Sequence, residues 1–191
     1  MNYETGSMSR QIDESRRRAH ELVSALTAEQ IARRPDPGTW SIAECLAHLN
    51  ITAATVQKLM ARGIEQAKQE KRFGEGPFSI GPKGRLLIWI AEPPPKFRIR
   101  APKNVRPPAA SDDPLQVLPA FIKAQDEWER LMREQEGLNL VKIKVGQGAF
   151  RMRLAAVLPW MMAHQRRHLL QAENVKRQIL SAASIAAMST I

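Results

Sequence analysis

An all-α four-helix bundle is the fold this chain predicts, on three observations. Four long stretches carry apolar residues at helical spacing, strand-like alternation is confined to short segments, and the helical stretches begin and end on recognisable caps and breakers. The 191 residues are enough for one domain with a substantial core. The whole chain, 1–191, therefore reads as a single helical-bundle unit with a connector over about 73–113.

The first helix runs from about Ser9 to Leu26, with Ile12, Ala19, Leu22, Val23 and Leu26 along one stripe. Thr27 opens a short turn in which Gln30 stands at capping-box spacing, and Pro35-Asp36-Pro37-Gly38 ends it. The second helix has the clearest start signal. Glu44 follows Ser41 by three, so the Ser41 hydroxyl can accept from a free backbone N–H while the Glu44 carboxylate reaches back. Its stripe is Ile42, Cys45, Leu49, Val56 and Leu59, and it should fade between Gly63 and Lys71. In the connector, Leu86–Ala91 supplies one or two helical turns, and prolines 93, 94, 95, 102, 107 and 108 preclude longer regular structure. Apolar–charged alternation in Phe97–Arg100 and in Val141–Val145 predicts a small edge ribbon between the two. Asp113 as cap and Pro114 at the first helical position open the third helix, which runs to about Glu136 and stops at Gly137. The fourth spans about Leu154 to Ser181. Pro159 either kinks it or marks its first turn, and the tail from Ser181 frays.

Composition excludes several classes of protein. A single cysteine, Cys45, rules out an internal disulfide framework and any Cys-rich zinc module. The longest run without a polar side chain, Leu154 to Ala163, is far short of the roughly 20 residues that cross a bilayer. The opening residues have no apolar signal core, so a cytoplasmic protein with no membrane partner is expected. The net charge is +10, and the stretch from Lys71 to Arg106 carries +7 of it on a proline- and glycine-rich connector. That segment lacks a nucleic-acid-binding motif, and its aromatics are not spaced as a stacking platform. A solvated basic surface, or a lure for an anionic small-molecule substrate, is the better reading.

Chemistry concentrates in the histidines. His164 and His168 are four apart, one turn on the same helix face, where two imidazoles can grip one cation or simply face solvent. His48 lies beside the apolar stripe of the second helix, three after Cys45 and four before Thr52. Facing helices of a bundle approach to roughly 8–10 Å. One inward histidine from the second helix and two from the fourth can then form a three-nitrogen site with open positions, as a catalytic metal requires. His20, among Arg17, Arg18 and Glu21, is left out.

The stretch Gly38-Thr39-Trp40-Ser41-Ile42-Ala43-Glu44-Cys45-Leu46-Ala47-His48-Leu49-Asn50, together with Ala163-His164-Gln165-Arg166-Arg167-His168-Leu169, resembles the DinB-like superfamily of helical metalloenzymes. Its pattern is Trp-Ser-x-x-Glu-x-x-x-His-Leu on the second helix and His-x-x-x-His on the fourth. The proline-rich middle resembles that of one branch. The resemblance spans essentially the whole chain. It implies an up-down-down-up bundle, a homodimer, and a divalent metal on His48, His164 and His168. Relatives in that superfamily include thiol-dependent S-transferases and a thiol-dependent isomerase.

Neighbouring residues have two readings each. Glu44 is the cap of its helix or a catalytic base beside His48, and Arg167 is solvated or a catalytic candidate that holds a carboxylate, as is Arg166. Gln171 bonds a ligand or solvent, Trp40 staples the helix start or walls a pocket, and Cys45 is a small buried hydrophobe or a soft ligand. Met161 and Met162 are core. No dedicated nucleophile is present, so reactivity is expected from the cation, which zinc, nickel or iron(II) can supply on imidazole ligands. The expected enzyme activates a low-molecular-weight thiol or a water, as a thiol S-transferase or a hydrolase. The competing reading is a non-catalytic helical module that binds metal, or an anionic partner, through its basic connector.

Overall fold

A computed structural model of the chain describes residues 1–97, 100–108 and 113–188, the last six by backbone alone. Its helices are α1 (Thr5–Val23), α2 (Ala28–Ala32), α3 (Ile42–Gln69), α4 (Gly81–Ala91), α5 (Val117–Glu134) and α6 (Leu154–Met188). Two short antiparallel pairs accompany them: β1 (Asn2–Tyr3) with β2 (Phe78–Ser79), and β3 (Lys144–Val145) with β4 (Met152–Arg153). The four long helices α1, α3, α5 and α6 form the bundle. Both α1 and α3 pack against α5 and α6, which leaves α1/α3 and α5/α6 as the diagonals.

Side-chain bonds reveal the helix directions. Arg166 reaches Gln11, Arg18 reaches Glu173, and Lys176 donates to the Glu21 carbonyl, all at a separation of 155 residues, so α1 and α6 are parallel. Asn50 donates to the Val117 carbonyl and Gln57 to that of Ala124, both at a separation of 67, so α3 and α5 are parallel too. His48 near the start of α3 meets His164 well inside α6, whereas Gly63 late in α3 lies against Val145, just ahead of α6. Those two helices are therefore antiparallel. The order is up, down, down, up.

Both capping boxes form as expected, at Thr27/Gln30 and at Ser41/Glu44. Several boundaries differ. The first helix starts a turn earlier and ends at Val23, because Ala25 takes a left-handed φ of 62°. The second does not fade at Gly63. A Cβ there would lie 2.5 Å from Val145 Cγ1, so the glycine admits the close approach of β3 while the helix continues to Gln69. Its buried stripe passes through Met60 and Ile64, leaving Val56 and Leu59 only partly covered. Asp113 caps only a turn, accepting from Leu115 N at 2.8 Å. The helix beyond it begins at Val117, because Pro119 has no N–H and is tolerated only in a first turn.

The Leu86–Ala91 segment belongs to a longer helix, α4, with proline at its start and Gly84 against Ala156, where a Cβ would come within 2.7 Å. The expected ribbon is replaced: β3 pairs with β4, while Arg98 and Ile99 lie outside the described residues. Helix α6 is continuous through Pro159, so the proline does not mark its start. Its first N–H groups are bonded instead by the Ile143 and Leu140 carbonyls, at 2.9 and 3.2 Å. It also continues past Ser181 to Met188, and residues 189–191 lie outside the described residues. With α1, α3 and α4 all against it, the run from Leu154 to Leu158 is fully covered, which accounts for its lack of polar side chains.

The core falls into two clusters. One contains Ala53, Met60, Ile64, Trp128 and Leu154–Leu158, and the other Leu22, Ile42, Leu46, Leu49, Phe121 and Leu169. His48 on α3, and His164 and His168 on α6, stand at the seam between them. No helix among the described residues is long and apolar enough to cross a membrane.

Candidate metal centre

The Ser41 cap starts α3 at Ile42 and thereby sets which face His48 presents, while α6 carries His164 and His168 one turn apart. The three rings converge. Their centroids lie 5.2 Å (His48 to His164), 4.5 Å (His48 to His168) and 4.6 Å (His164 to His168) apart, and one nitrogen of each lies within 4.8 Å of the other two.

Hydrogen bonding identifies the nitrogens left free. His48 Nδ1 is 2.7 Å from the carbonyl oxygen of Val105, which can only accept, so Nδ1 carries the proton and Nε2 keeps its lone pair. Nδ1 of His168 is 3.1 Å from Gln171 Oε1, again a proton acceptor, and its Nε2 is free in the same way. The Nε2 atoms of His48 and His164 are 3.2 Å apart. Tetrahedral ligands at zinc–nitrogen distances would be roughly 3.4 Å apart. The pair is therefore already at ligand spacing. Two second-sphere acceptors holding the outer N–H groups are what metal-binding histidines normally show.

Aromatic walls fix the ring planes. Trp40 packs against His48 at 5.1 Å and stacks on His168 at 6.0 Å; Trp160 stacks on His164 at 5.7 Å, with Phe150 beyond it. Burial keeps all three imidazoles neutral. It pushes His48 below the ordinary imidazole value, against the pull of the Val105 carbonyl. His164 lies well below that value through burial and the charges of His168, His48 and Arg167. His168 is pushed down to about 3 by burial, His48 and Arg167, with Gln171 opposing. Neutral rings are the metal-binding form, so protons compete poorly for this site.

The other expected site residues separate. Burial alone would raise the Glu44 carboxyl, but bonds from Arg34 and from Ser41 hold it below the carboxylate norm. Both of its oxygens are engaged: Arg34 spans the two, and Ser41 N donates to one at 2.9 Å. Cys45 is fully covered, and burial, with Glu44 nearby, pushes its thiol far up, which suits a core residue and not a nucleophile. Gln171 bonds a histidine, as one of its two readings had it, and Trp40 is a wall. Met161 and Met162 are core. Arg166 is paired with Glu92 at 2.7 and 2.5 Å. Arg167 instead donates to two backbone carbonyls, Ile90 at 3.0 Å and Phe97 at 2.6 Å. His20 is exposed and apart.

Val105, Trp160 and Arg34 were missed in the sequence. Trp160 precedes His164 by four on one helix, a signal that periodicity carries. Val105 acts through its carbonyl from 57 residues away, and no side-chain pattern marks that. Two shallow surface hollows among the described residues, about 290 and 360 Å³, lie elsewhere, beside Arg33 and Gln178 and beside Arg18 and Lys176. Paired charges line the second, and neither includes any of the three converging histidines.

Three inward imidazoles at one seam of a helical bundle form a donor set of the kind that can hold a cation between helices. The chain belongs to the DinB superfamily, whose sequence pattern matches residues 11–172. In fold it is similar to YfiT from Bacillus subtilis, described as a probable metal-dependent hydrolase with an unusual four-helix bundle topology. The TM-score is 0.56 at 15% identity, over 91% of this chain and 86% of that one. No curated protein sequence matches the chain.

Proposed function

We propose that this chain is a metal-dependent enzyme acting on a small molecule, with His48, His164 and His168 holding one divalent cation. The single observation behind this reading is the convergence of three neutral imidazoles, one ring nitrogen of each lying within 4.8 Å of the other two. Such a cation, when bound, lowers the pKa of a coordinated thiol or water, and neutral ligands leave its charge undiminished. The chain's own groups do the rest. Val105 and Gln171 keep the outer protons on His48 and His168, and Trp40 and Trp160 hold the ring planes and limit water. Two reaction types fit, thiol S-transfer and hydrolysis. Zinc, nickel and iron(II) all suit the donor set. The superfamily resemblance adds a homodimer to this reading.

Metal analysis of the purified and reconstituted protein, beside His48→Ala, tests the proposal. About one divalent ion per chain is expected in the native protein, with affinity lowered more than ~100-fold in the variant, beyond the effect of losing an outer-sphere partner. Panels of thiols with electrophilic acceptors, and of esters, then separate transfer from hydrolysis. Failure to bind stoichiometric metal would overturn the proposal. Metal that only raises thermal stability, with no reaction in either panel, would favour a non-catalytic module.

A further inference from the structure

We infer that the molecule this site takes carries a carboxylate, and that Arg167 receives it. The inference rests on the three-histidine reading above and adds a substrate class to it.

Arg167 stands between two of the histidines on α6 and is partly buried. Other partly covered arginines are neutralised: the adjacent Arg166 pairs with Glu92, and elsewhere in the bundle Arg34 pairs with Glu44 and Arg18 with Glu173. Arg167 has no carboxylate partner among the described residues. Its two bonds go to the Ile90 and Phe97 carbonyls, which immobilise the guanidinium where the end of α4 and the following connector meet α6. Those bonds use two of its five N–H groups, so the fork retains donors for another acceptor.

The charge balance of the site points the same way. Three neutral imidazoles compensate none of a divalent cation's charge. The segment that supplies Val105 to His48 adds Lys103 and Arg106, both exposed, and no acid. A cation, a partly buried arginine without a carboxylate partner among the described residues and a basic rim together favour a ligand that carries negative charge. A guanidinium held in one plane matches a carboxylate better than a point charge does.

Two probes of nearly equal shape, 3-mercaptopropionate and 3-mercaptopropionamide, test this on the cobalt(II)-loaded protein through thiolate-to-metal charge-transfer absorption. The carboxylate is expected to bind about tenfold more tightly, as a charge-assisted bond implies. In Arg167→Gln that preference should fall to within about twofold while the amide's affinity is unchanged, and Arg167→Lys should restore part of it. A purely structural arginine would instead weaken both probes alike. Equal binding of the two probes, no binding of either, or a preference unchanged in Arg167→Gln would overturn the inference. Failure of cobalt to bind, seen before any thiol is added, would identify the three-histidine reading as the point of failure and this inference would fall with it.

Discussion

The two sides of the histidine cluster are held in different ways. On α6, His164 and His168 are one turn apart, and the outer nitrogen of His168 is bonded to Gln171, three residues on in the same helix. On α3 the single ring of His48 is held by a backbone carbonyl from the connector, 57 residues away. One side is local and assembles with its helix. The other is complete only when the connector has folded onto the bundle, so cation binding and the ordering of that connector should be linked.

Acid should expose the contrast most strongly in the metal-free protein. A ring whose folded-state pKa lies below its unfolded value binds a proton only when the chain unfolds, across the window between the two. Stability is therefore full above about pH 6.5 and is lost as the pH falls, for His168 down to about 3. Each ring contributes up to about 1.4 kcal/mol per pH unit inside its window. The α6 pair should dominate. Thermal melts from pH 7 to 4 should show His164→Gln removing more of the acid sensitivity than His48→Gln, whose ring the Val105 carbonyl partly supports in its charged form. Equal slopes in the two variants would erase the distinction between the sides.

Outer-sphere bonds offer a sharper comparison at smaller amplitude. Gln171→Ala removes the local support, and replacing Lys103-Asn104-Val105 by three glycines loosens the remote one. Each should weaken metal binding about 10–100-fold, the usual effect of losing such a partner. They should differ in their source. The glycine replacement leaves the carbonyl in place and acts by raising the entropy of the segment that carries it, so its effect should shrink on cooling. Isothermal titration at two temperatures checks this, and equal temperature dependence would count against the linkage.

What the sequence revealed follows the same division. Both capping boxes, the His164/His168 pair and the inward face of His48 were legible, because each depends on spacing within one helix. The extent of α4, the place where α5 begins and the role of Val105 were not. Gly63 and Gly84 look like helix breakers in isolation, and each instead admits a neighbour too close for a Cβ, Val145 in one case and Ala156 in the other. Pro119 is the exception. Read as a first-turn proline it places the start of α5 unaided, whereas Asp113-Pro114 imitates a helix start and closes only a turn.

Glu44 yields the smallest expected effect and a decisive one for its role. It stands one turn before His48, where it can be a base for the reaction or the cap of α3. Its oxygens are already taken by Arg34 and by Ser41 N. Glu44→Gln keeps an acceptor for Ser41 N and weakens only the link to Arg34, whose side chain is 38% exposed. A loss of about 1 kcal/mol is expected, the order of a capping interaction or a partly exposed ion pair. Metal affinity should be unchanged. In any reaction the chain is found to catalyse, the acidic limb of the kcat profile should also stay in place. A base at this position would lower kcat by 10²-fold or more and remove that limb. The cap predicts a change in melting temperature alone, because a carboxylate whose oxygens already accept from a guanidinium and a helix N–H is poorly placed to take a proton from substrate.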